Sequence, residues 1–215
     1  MKSPILKEGG TKPFVTDKDR KDKDKKEKDN SGMATSPVTG RSLTVETAQT
    51  LYLPAGAAVK LRLIQPEDQR LIKEMFAGLS KETIYYRYFG YVPPITPEFL
   101  MRFACVNPER EVTIVAETKV NGVRQIIGVV QVVKDGDGTK AEFGILIADD
   151  WQKQGLGSLM TDFTRQVVAN QGVQILYAHF MAINRGIAGL LQKQGFQVCR
   201  DHFDAFYAEL NLLEK

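Results

Sequence analysis

The sequence predicts an α/β (α+β) fold, a mixed and mostly antiparallel sheet of six to seven strands flanked by helices, behind a disordered N-terminal tail. Three observations support this prediction. Helical patterns come early in the folded part, three Val- and Ile-rich runs follow one another across short turns, and strand and helix patterns then alternate to the C-terminus. This order of elements is typical of a sheet with helices packed on its faces.

The tail is expected to cover residues 1–45 and the folded domain residues 46–215. Residues 17–29 read DKDRKDKDKKEKD and offer no apolar face whose burial could offset the entropy of ordering them. The tail holds 11 Lys and Arg against 7 Asp and Glu, which leaves 18 against 19 for the folded part. We interpret the tail as a solubilising extension, with an interaction arm as the alternative.

Composition argues against several classes of function. The folded part is nearly neutral and shows neither a basic face nor an aromatic stacking module, so no nucleic-acid partner is expected. The N-terminus resembles no secretory signal and no run is apolar enough to span a membrane, which favours a cytoplasmic protein. Cys105 and Cys199 lie far apart without metal-ligand spacing, so we expect buried, reduced thiols and no metal site.

The front of the folded domain predicts one strand and three helical segments. Ala58 to Ile64 alternate apolar and basic residues, as a half-buried strand does. Pro66 then supplies a helix start, and apolar residues recur at helical spacing from Leu71 to Leu79. Two further short helices are expected behind the capping residues Ser80 and Thr96.

The middle of the domain predicts an antiparallel meander. The runs EVTIVAE, QIIGVVQVV and AEFGILI are rich in Val and Ile, and the segments between them contain Asn121-Gly122 and Asp135-Gly136-Asp137-Gly138, which are hairpin turn signals. A long amphipathic helix follows and ends near Gly172. The strand VQILYAHF, a helix from about Arg185 to Gln194 and the strands FQVCR and AFYAEL complete the domain.

The stretch DDWQKQGLGSLM places Gly155 and Gly157 between a strand and this long helix. A glycine pair in this position is often only a turn. It is neither a Walker A loop nor a dinucleotide fingerprint, because no Gly-Lys-Ser/Thr follows and Met160 stands where a third glycine belongs. Small residues do let backbone N–H groups converge at the positive end of a helix, which makes an anion cradle suited to a pyrophosphate.

The loop resembles that of a known family. Residues 152–157, QKQGLG, match the Q/R-x-x-G-x-G/A coenzyme A loop of the GNAT acetyltransferases, and the order of elements and the segment NRGIAGLLQKQGF match as well. From about Val59 to Phe196 the chain closely resembles the acetyltransferase domain of bacterial protein lysine acetyltransferases that modify acyl-CoA synthetases. The resemblance implies a GNAT fold, acetyl-CoA as cosubstrate, and a protein acceptor with an exposed lysine, with an AMP-forming acyl-CoA synthetase as the candidate partner.

The resemblance also implies a cofactor site. The loop would hold the pyrophosphate, an Asn would lie near the coenzyme, and backbone N–H groups of the strand AEFGILI would polarise the thioester carbonyl as charge develops on its oxygen. The implied cofactor-binding residues are Leu146, Ile147, Ala148, Gln152, Lys153, Gln154, Gly155, Leu156, Gly157, Ser158 and Asn184.

Glu142 is the candidate catalytic base. Period-2 alternation puts it beside Gly144, on the face opposite Ala141 and Phe143, where it could take a proton directly or through one water. Its position also resembles that of the catalytic glutamate of lysine-acetylating members. The alternative is a strand-end Glu that points to solvent. His179 is a second candidate base, although a hydrogen-bonded structural histidine is the favoured interpretation.

The sequence has no tyrosine where the resemblance places the general acid. Many GNAT enzymes protonate the departing thiolate with a Tyr, and the matching position here is Leu191. Tyr207 could replace it only if the fold brings it near. The thiolate of coenzyme A is a fair leaving group without a general acid, because the pKa of its thiol is near that of free Cys, about 8.5.

Three functions remain open at this point. The leading hypothesis is an acetyl-CoA-dependent protein lysine N-acetyltransferase that works by direct attack in a ternary complex. A small-molecule amine N-acetyltransferase would carry the same cofactor loop, because acceptor specificity resides elsewhere in the fold. A catalytically silent acetyl-CoA-binding sensor is the third hypothesis.

Overall fold

The computed structural model describes residues 48–214 except 92, 105, 106 and 108. These residues form eight strands and five α-helices. The strands are β1 (Ala48–Tyr52), β2 (Ala58–Leu63), β3 (Glu111–Val120), β4 (Val123–Lys134), β5 (Lys140–Ile147), β6 (Ile175–Met181), β7 (Gln197–Arg200) and β8 (Ala205–Asn211). The helices are α1 (Gln69–Ala77), α2 (Lys81–Arg87), α3 (Pro97–Ala104), α4 (Leu156–Ala169) and α5 (Arg185–Lys193).

The strands form one mixed sheet in the order β1-β2-β3-β4-β5-β6-β8-β7. The fold class is thus confirmed, and the described strands number eight rather than six to seven because β1 pairs with β2 at the edge. Its sequence, AQTLY, is mostly exposed and lacks the alternation that marks a half-buried strand. The hairpin predicted at Asn121-Gly122 joins β3 to β4, and both residues have positive φ, 50° and 81°, as a tight hairpin turn requires.

Two hydrophobic cores lie on the two faces of this sheet. The first core packs the sheet against α4 and α5 and includes Phe143, Phe163 and Leu191. The second packs it against α1 and α3 and includes Phe76 and Leu146. Strand β5 alternates between the cores, so its even-numbered residues share the face of the second core. This alternation places Glu142 on the face of β5 opposite Ala141 and Phe143, where the sequence predicts it.

A buried ion network ties β2, β3 and β4 together near α1. The Arg62 guanidinium donates to both carboxylate oxygens of Asp68, at 2.6 and 2.8 Å, and to Glu117 at 2.7 Å. Arg124 donates to Glu117 as well. Arg62 is 5% exposed and Asp68 2%, so each charge depends on its partners for the stabilisation that water would otherwise supply.

Some expectations fail or lie outside the described residues. Cys199 is exposed on the edge strand β7, so the prediction that it is a buried thiol was wrong; an edge strand leaves one side of its chain uncovered. Cys105 and the tail, residues 1–45, are not among the described residues. No described helix combines the length and apolar character needed to cross a membrane.

Candidate active site

The site is built around a separation between β5 and β6. These two strands are the parallel pair of the sheet, and they pair only through Lys140, Ala141 and Glu142 on the β5 side. Beyond Glu142, β5 continues beside β4 while β6 continues beside β8. The two strands therefore separate beyond Glu142, which leaves a gap that extends toward the loop that follows β5.

The register of β5 decides which backbone groups face this gap. The N–H of Ala148 donates to the carbonyl of Ile127 at 2.9 Å. Because alternate residues of an antiparallel strand bond to the same neighbour, Leu146 also directs its N–H toward β4, opposite Val129. Of the three residues expected to polarise the thioester, only Ile147 turns its N–H toward β6. The assignments of Leu146 and Ala148 to that role were wrong, because both N–H groups face β4 and not the gap.

The loop after β5 forms the expected turn into α4. Gly155 is the N-cap of α4 with φ of 88°, a left-handed conformation that glycine adopts at little cost. Lys153 also has positive φ, 58°. No group among the described residues accepts a hydrogen bond from the N–H groups of residues 155–158. Four donors at the positive end of a 14-residue helix make a cradle that fits a pyrophosphate.

Gly157 has a packing role that the sequence did not show. A Cβ at this position would lie 3.0 Å from a methyl group of Leu190 and 3.3 Å from one of Ile147. The glycine therefore lets α4 approach both α5 and β5 closely. Leu156 is fully buried in the first core and anchors the start of α4. Ser158 lies in the first turn of the same helix.

The two glutamines of the loop bond to the protein itself. The amide of Gln152 donates to the carbonyl of Ile147 at 3.0 Å and to the hydroxyl of Thr83 at 3.1 Å. The amide of Gln154 donates to the carbonyl of Asp150 at 2.6 Å. Both side chains thus shape the loop, and the backbone is left to present the donors.

Asp149 attaches this loop to α2. Its carboxylate accepts hydrogen bonds from the Ser80 N–H at 2.8 Å, the Ser80 hydroxyl at 2.7 Å and the Thr83 hydroxyl at 2.7 Å. Partial burial favours the neutral acid, but the bonds from Ser80 and Thr83 outweigh it and lower the pKa of Asp149. Ser80 is the N-cap residue of α2, so Asp149 fixes the start of a helix that lies far away in the sequence.

Helix α2 in turn brings Arg87 over the site. A Cβ on Gly144 would lie within 2.7 Å of the central carbon of the Arg87 guanidinium, so that group rests directly on the bare backbone of β5. Arg87 also donates to Gln131 at 3.3 Å and its guanidinium lies 5.3 Å from the centre of the Tyr88 ring. Gly144 and Glu142 lie two residues apart on the same face of β5. The Arg87 guanidinium therefore covers the face of β5 that carries the candidate base.

Asn184 begins α5 on the far side of the gap. Its side-chain oxygen accepts the N–H of Ile187 at 3.2 Å, which is an N-cap interaction. The structure therefore shows a capping role for the side-chain oxygen of Asn184.

Glu142 lies at the mouth of the gap, beside His179. Its side chain is 36% exposed, and its Oε1 is 3.7 Å from Nδ1 of His179. On the other side of the imidazole, Nε2 lies 3.9 Å from Asp201. These separations are ion-pair distances rather than hydrogen bonds, so the hydrogen-bonded structural histidine expected from the sequence is not observed. The sequence did not identify Asp201 as a neighbour of the site, because no motif or spacing around it indicates a functional role.

Two tyrosines complete this cluster. Tyr177 pairs across from Glu142 on β6 and donates its hydroxyl to Asp135 at 2.9 Å. Tyr207 donates to Glu209 at 2.8 Å. Burial and these carboxylates raise the pKa of both phenols, so both are protonated at neutral pH. The fold does bring Tyr207 into the cluster, while Leu191, at the position of the family's tyrosine, is fully buried.

Comparison with known proteins agrees with this architecture. Residues 59–197 match the family model described as an acetyltransferase (GNAT) domain. The chain belongs to the GNAT acetyltransferases. It is 24% identical over 153 residues to acetyltransferase PA5475 of Pseudomonas aeruginosa, a match that spans 71% of this chain and 82% of that protein.

Solved structures show the same fold. The GNAT domain of S. lividans PAT superposes with a TM-score of 0.71 at 20% identity, over 79% of this chain and 99% of that one. The structure of yncA from Salmonella typhimurium with its cofactor acetyl-CoA gives a TM-score of 0.58 at 19% identity, over 73% and 95%. A cAMP-binding acyltransferase from Mycobacterium smegmatis gives 0.53 at 20% identity, over 77% of this chain and 47% of that one.

Proposed function

We propose that this GNAT enzyme transfers the acetyl group of acetyl-CoA to a lysine side-chain amine of a protein, by direct attack in a ternary complex with Glu142 as the general base. The observation that carries the proposal is the position of Glu142 at the point where β5 and β6 separate. An amine that reaches Glu142 there also reaches the gap into which Ile147 directs its N–H.

Backbone donors and side chains would divide the work along the gap. The N–H groups at the start of α4 would hold the pyrophosphate, and the side-chain amide of Asn184 would bind the pantetheine arm. The Ile147 N–H would stabilise negative charge on the carbonyl oxygen as the amine attacks. The yncA structure, which has the same fold, was solved with acetyl-CoA, and this supports acetyl-CoA as the cosubstrate.

The attacking amine must lose a proton first. A lysine amine has an ordinary pKa of about 10.4 and is almost wholly protonated at neutral pH. The Glu142 carboxylate would take this proton directly or through one water, which leaves the nitrogen lone pair free to attack the carbonyl carbon. The carbon–sulfur bond then breaks, coenzyme A leaves as a thiolate, and the second proton of the attacking nitrogen passes to this thiolate or to solvent.

A protein acceptor is supported by the access to this site. The side chains of Glu142 and His179 are 36% and 32% exposed, so the lysine of a folded partner can reach them. The likeness to the GNAT domain of S. lividans PAT points the same way, and an AMP-forming acyl-CoA synthetase is the candidate acceptor to test first.

The test is an acetyl-transfer assay read by mass spectrometry. The protein is incubated with acetyl-CoA and either an AMP-forming acyl-CoA synthetase or a panel of small amines. We expect acetyl-lysine on the synthetase, and a fall in kcat of about 100-fold or more in Glu142→Gln, as for loss of a general base. Glu74→Gln makes the same change on the exposed face of α1 and should keep full activity.

The other results separate the alternatives. Transfer to small amines alone would replace the protein acceptor with a small-molecule one. Tight acetyl-CoA binding without transfer to any amine would identify a sensor. Full activity of Glu142→Gln at every pH would remove Glu142 from the role of base.

A further inference from the structure

His179 stands between two carboxylates that connect the candidate base to the surface. Its Nδ1 faces Glu142 at 3.7 Å and its Nε2 faces Asp201 at 3.9 Å. The three side chains are each about one-third exposed, at 36%, 32% and 30% for Glu142, His179 and Asp201. They form a line of titratable groups from the gap between β5 and β6 to the loop between β7 and β8.

Aromatic contacts hold the imidazole in this line. The His179 ring lies 5.8 Å from the Tyr177 ring, nearly perpendicular to it, and 5.2 Å from the Tyr207 ring. Edge and tilted contacts of this kind limit how a ring can turn. The two nitrogens are therefore directed at the two carboxylates and not at random into solvent.

The other charged and titratable groups around His179 lie one step further away. Tyr177 reaches Asp135, Tyr207 reaches Glu209, and Cys199 of β7 pairs across from Tyr207. His202 lies 3.7 Å from Asp201 and is 60% exposed. Arg87 of α2 rests on Gly144, next to Glu142.

We propose that His179 relays the acceptor's proton from Glu142 to Asp201 and solvent, which makes it a positioning residue that acts through Glu142. The inference rests on the proposed function, because it takes Glu142 as the base. The separations of 3.7 and 3.9 Å are longer than hydrogen bonds and too short to hold a water between the two atoms, so the partly exposed carboxylates turn toward the ring as each proton moves.

The proton balance is simple. The Glu142 carboxylate takes one proton from the lysine ammonium and becomes a neutral acid. It passes that proton to Nδ1 of neutral His179, which restores the carboxylate and creates an imidazolium. The imidazolium loses the proton from Nε2 toward Asp201 and water, and a tautomer exchange with solvent resets the ring. No oxidant or further reactant is needed.

The test compares kcat of His179→Gln with that of the wild type from pH 5 to pH 9, on the acetyl-CoA and acyl-CoA synthetase reaction. The titration of the acceptor amine cancels in the ratio of the two rates. We expect His179→Gln to be about tenfold slower at pH 8, with KM for acetyl-CoA unchanged. The ratio should rise toward one as the pH falls, because a protonated histidine can no longer accept a proton and the wild type loses its advantage.

Two further variants keep the test decisive. Asp201→Asn leaves His179 in place and should slow the reaction about threefold at pH 8. His202→Gln alters the other histidine beside Asp201 and should have no effect. A His179→Gln ratio that is constant with pH, or wild-type rates in both His179→Gln and Asp201→Asn, would overturn the relay.

The outcome also distinguishes this inference from the proposed function. A wild type that acetylates no amine overturns both. An active wild type that depends on Glu142 but is indifferent to His179 and Asp201 overturns the relay alone.

Discussion

Removing the charge of Asp149 tests whether the cofactor loop and α2 act as one unit. In Asp149→Asn one carboxylate oxygen becomes an NH2 group, which cannot accept a hydrogen bond, so the three bonds that Ser80 and Thr83 now donate to the two oxygens cannot all be kept. A hydrogen bond to a charged group contributes about 1.5–3 kcal/mol, and at this partly exposed position we expect the low end. The free energy of unfolding should fall by about 1–2 kcal/mol, or roughly 2–8 °C in Tm.

The loss should also reach the active site, because α2 carries Arg87 onto Gly144. We expect Asp149→Asn to lower kcat severalfold. Urea unfolding and acetyl-transfer kinetics measure the two effects. Asp150→Asn is the matched control, since it makes the same change one residue later on an exposed side chain.

A double-mutant cycle with Thr83→Val decides the physical cause. If the hydrogen bond at 2.7 Å links the two residues, the two losses of stability should not add, with a coupling energy of about 0.5 kcal/mol or more. Additive losses, or an Asp149→Asn variant as stable and active as Asp150→Asn, would refute the view that this carboxylate holds α2 in place.

Two further predictions follow from the loop glycines and the buried ion network. Gly155→Ala forces a side chain into a left-handed backbone at φ 88°; the free energy of unfolding should fall by about 1–2 kcal/mol, and the binding free energy of acetyl-CoA, measured by calorimetry, should fall by more. Gly157→Val, whose side chain would meet Leu190 at 3.0 Å, should instead lower the stability more than the affinity. Equal losses of stability and affinity in both variants would contradict this division. The hydrogen bond from Arg124, with help from Arg62, lowers the pKa of Glu117 from 4.5 to about 2, so this carboxylate stabilises the fold above pH 4.5 by about 3 kcal/mol and loses that contribution as the pH falls to 2. Urea unfolding at several pH values should show this slope in the wild type and a flatter one in Glu117→Gln; identical slopes would place the acid sensitivity elsewhere.

Local patterns were enough to predict most of the elements. The meander, the long helix after the glycine pair and the final strands are all found, because each buries a face whose period is written in consecutive residues. The resemblance to the GNAT family, carried by residues 152–157 and by the order of elements, is confirmed by the family match over residues 59–197. Strand β1 escaped prediction because an exposed edge strand shows no such period.

The chemistry of the site depended on the pairing of strands. The sequence by itself determined that Glu142 lies on the face opposite Phe143 and that a loop able to cradle an anion precedes α4. Only the tertiary structure decided that Ile147, and not Ala148, turns its N–H to the gap, since this depends on the register with β4. It also decided that His179 stands between Glu142 and Asp201, because the pairing of β5 with β6 and the insertion of β8 between β6 and β7 join residues that no local period relates.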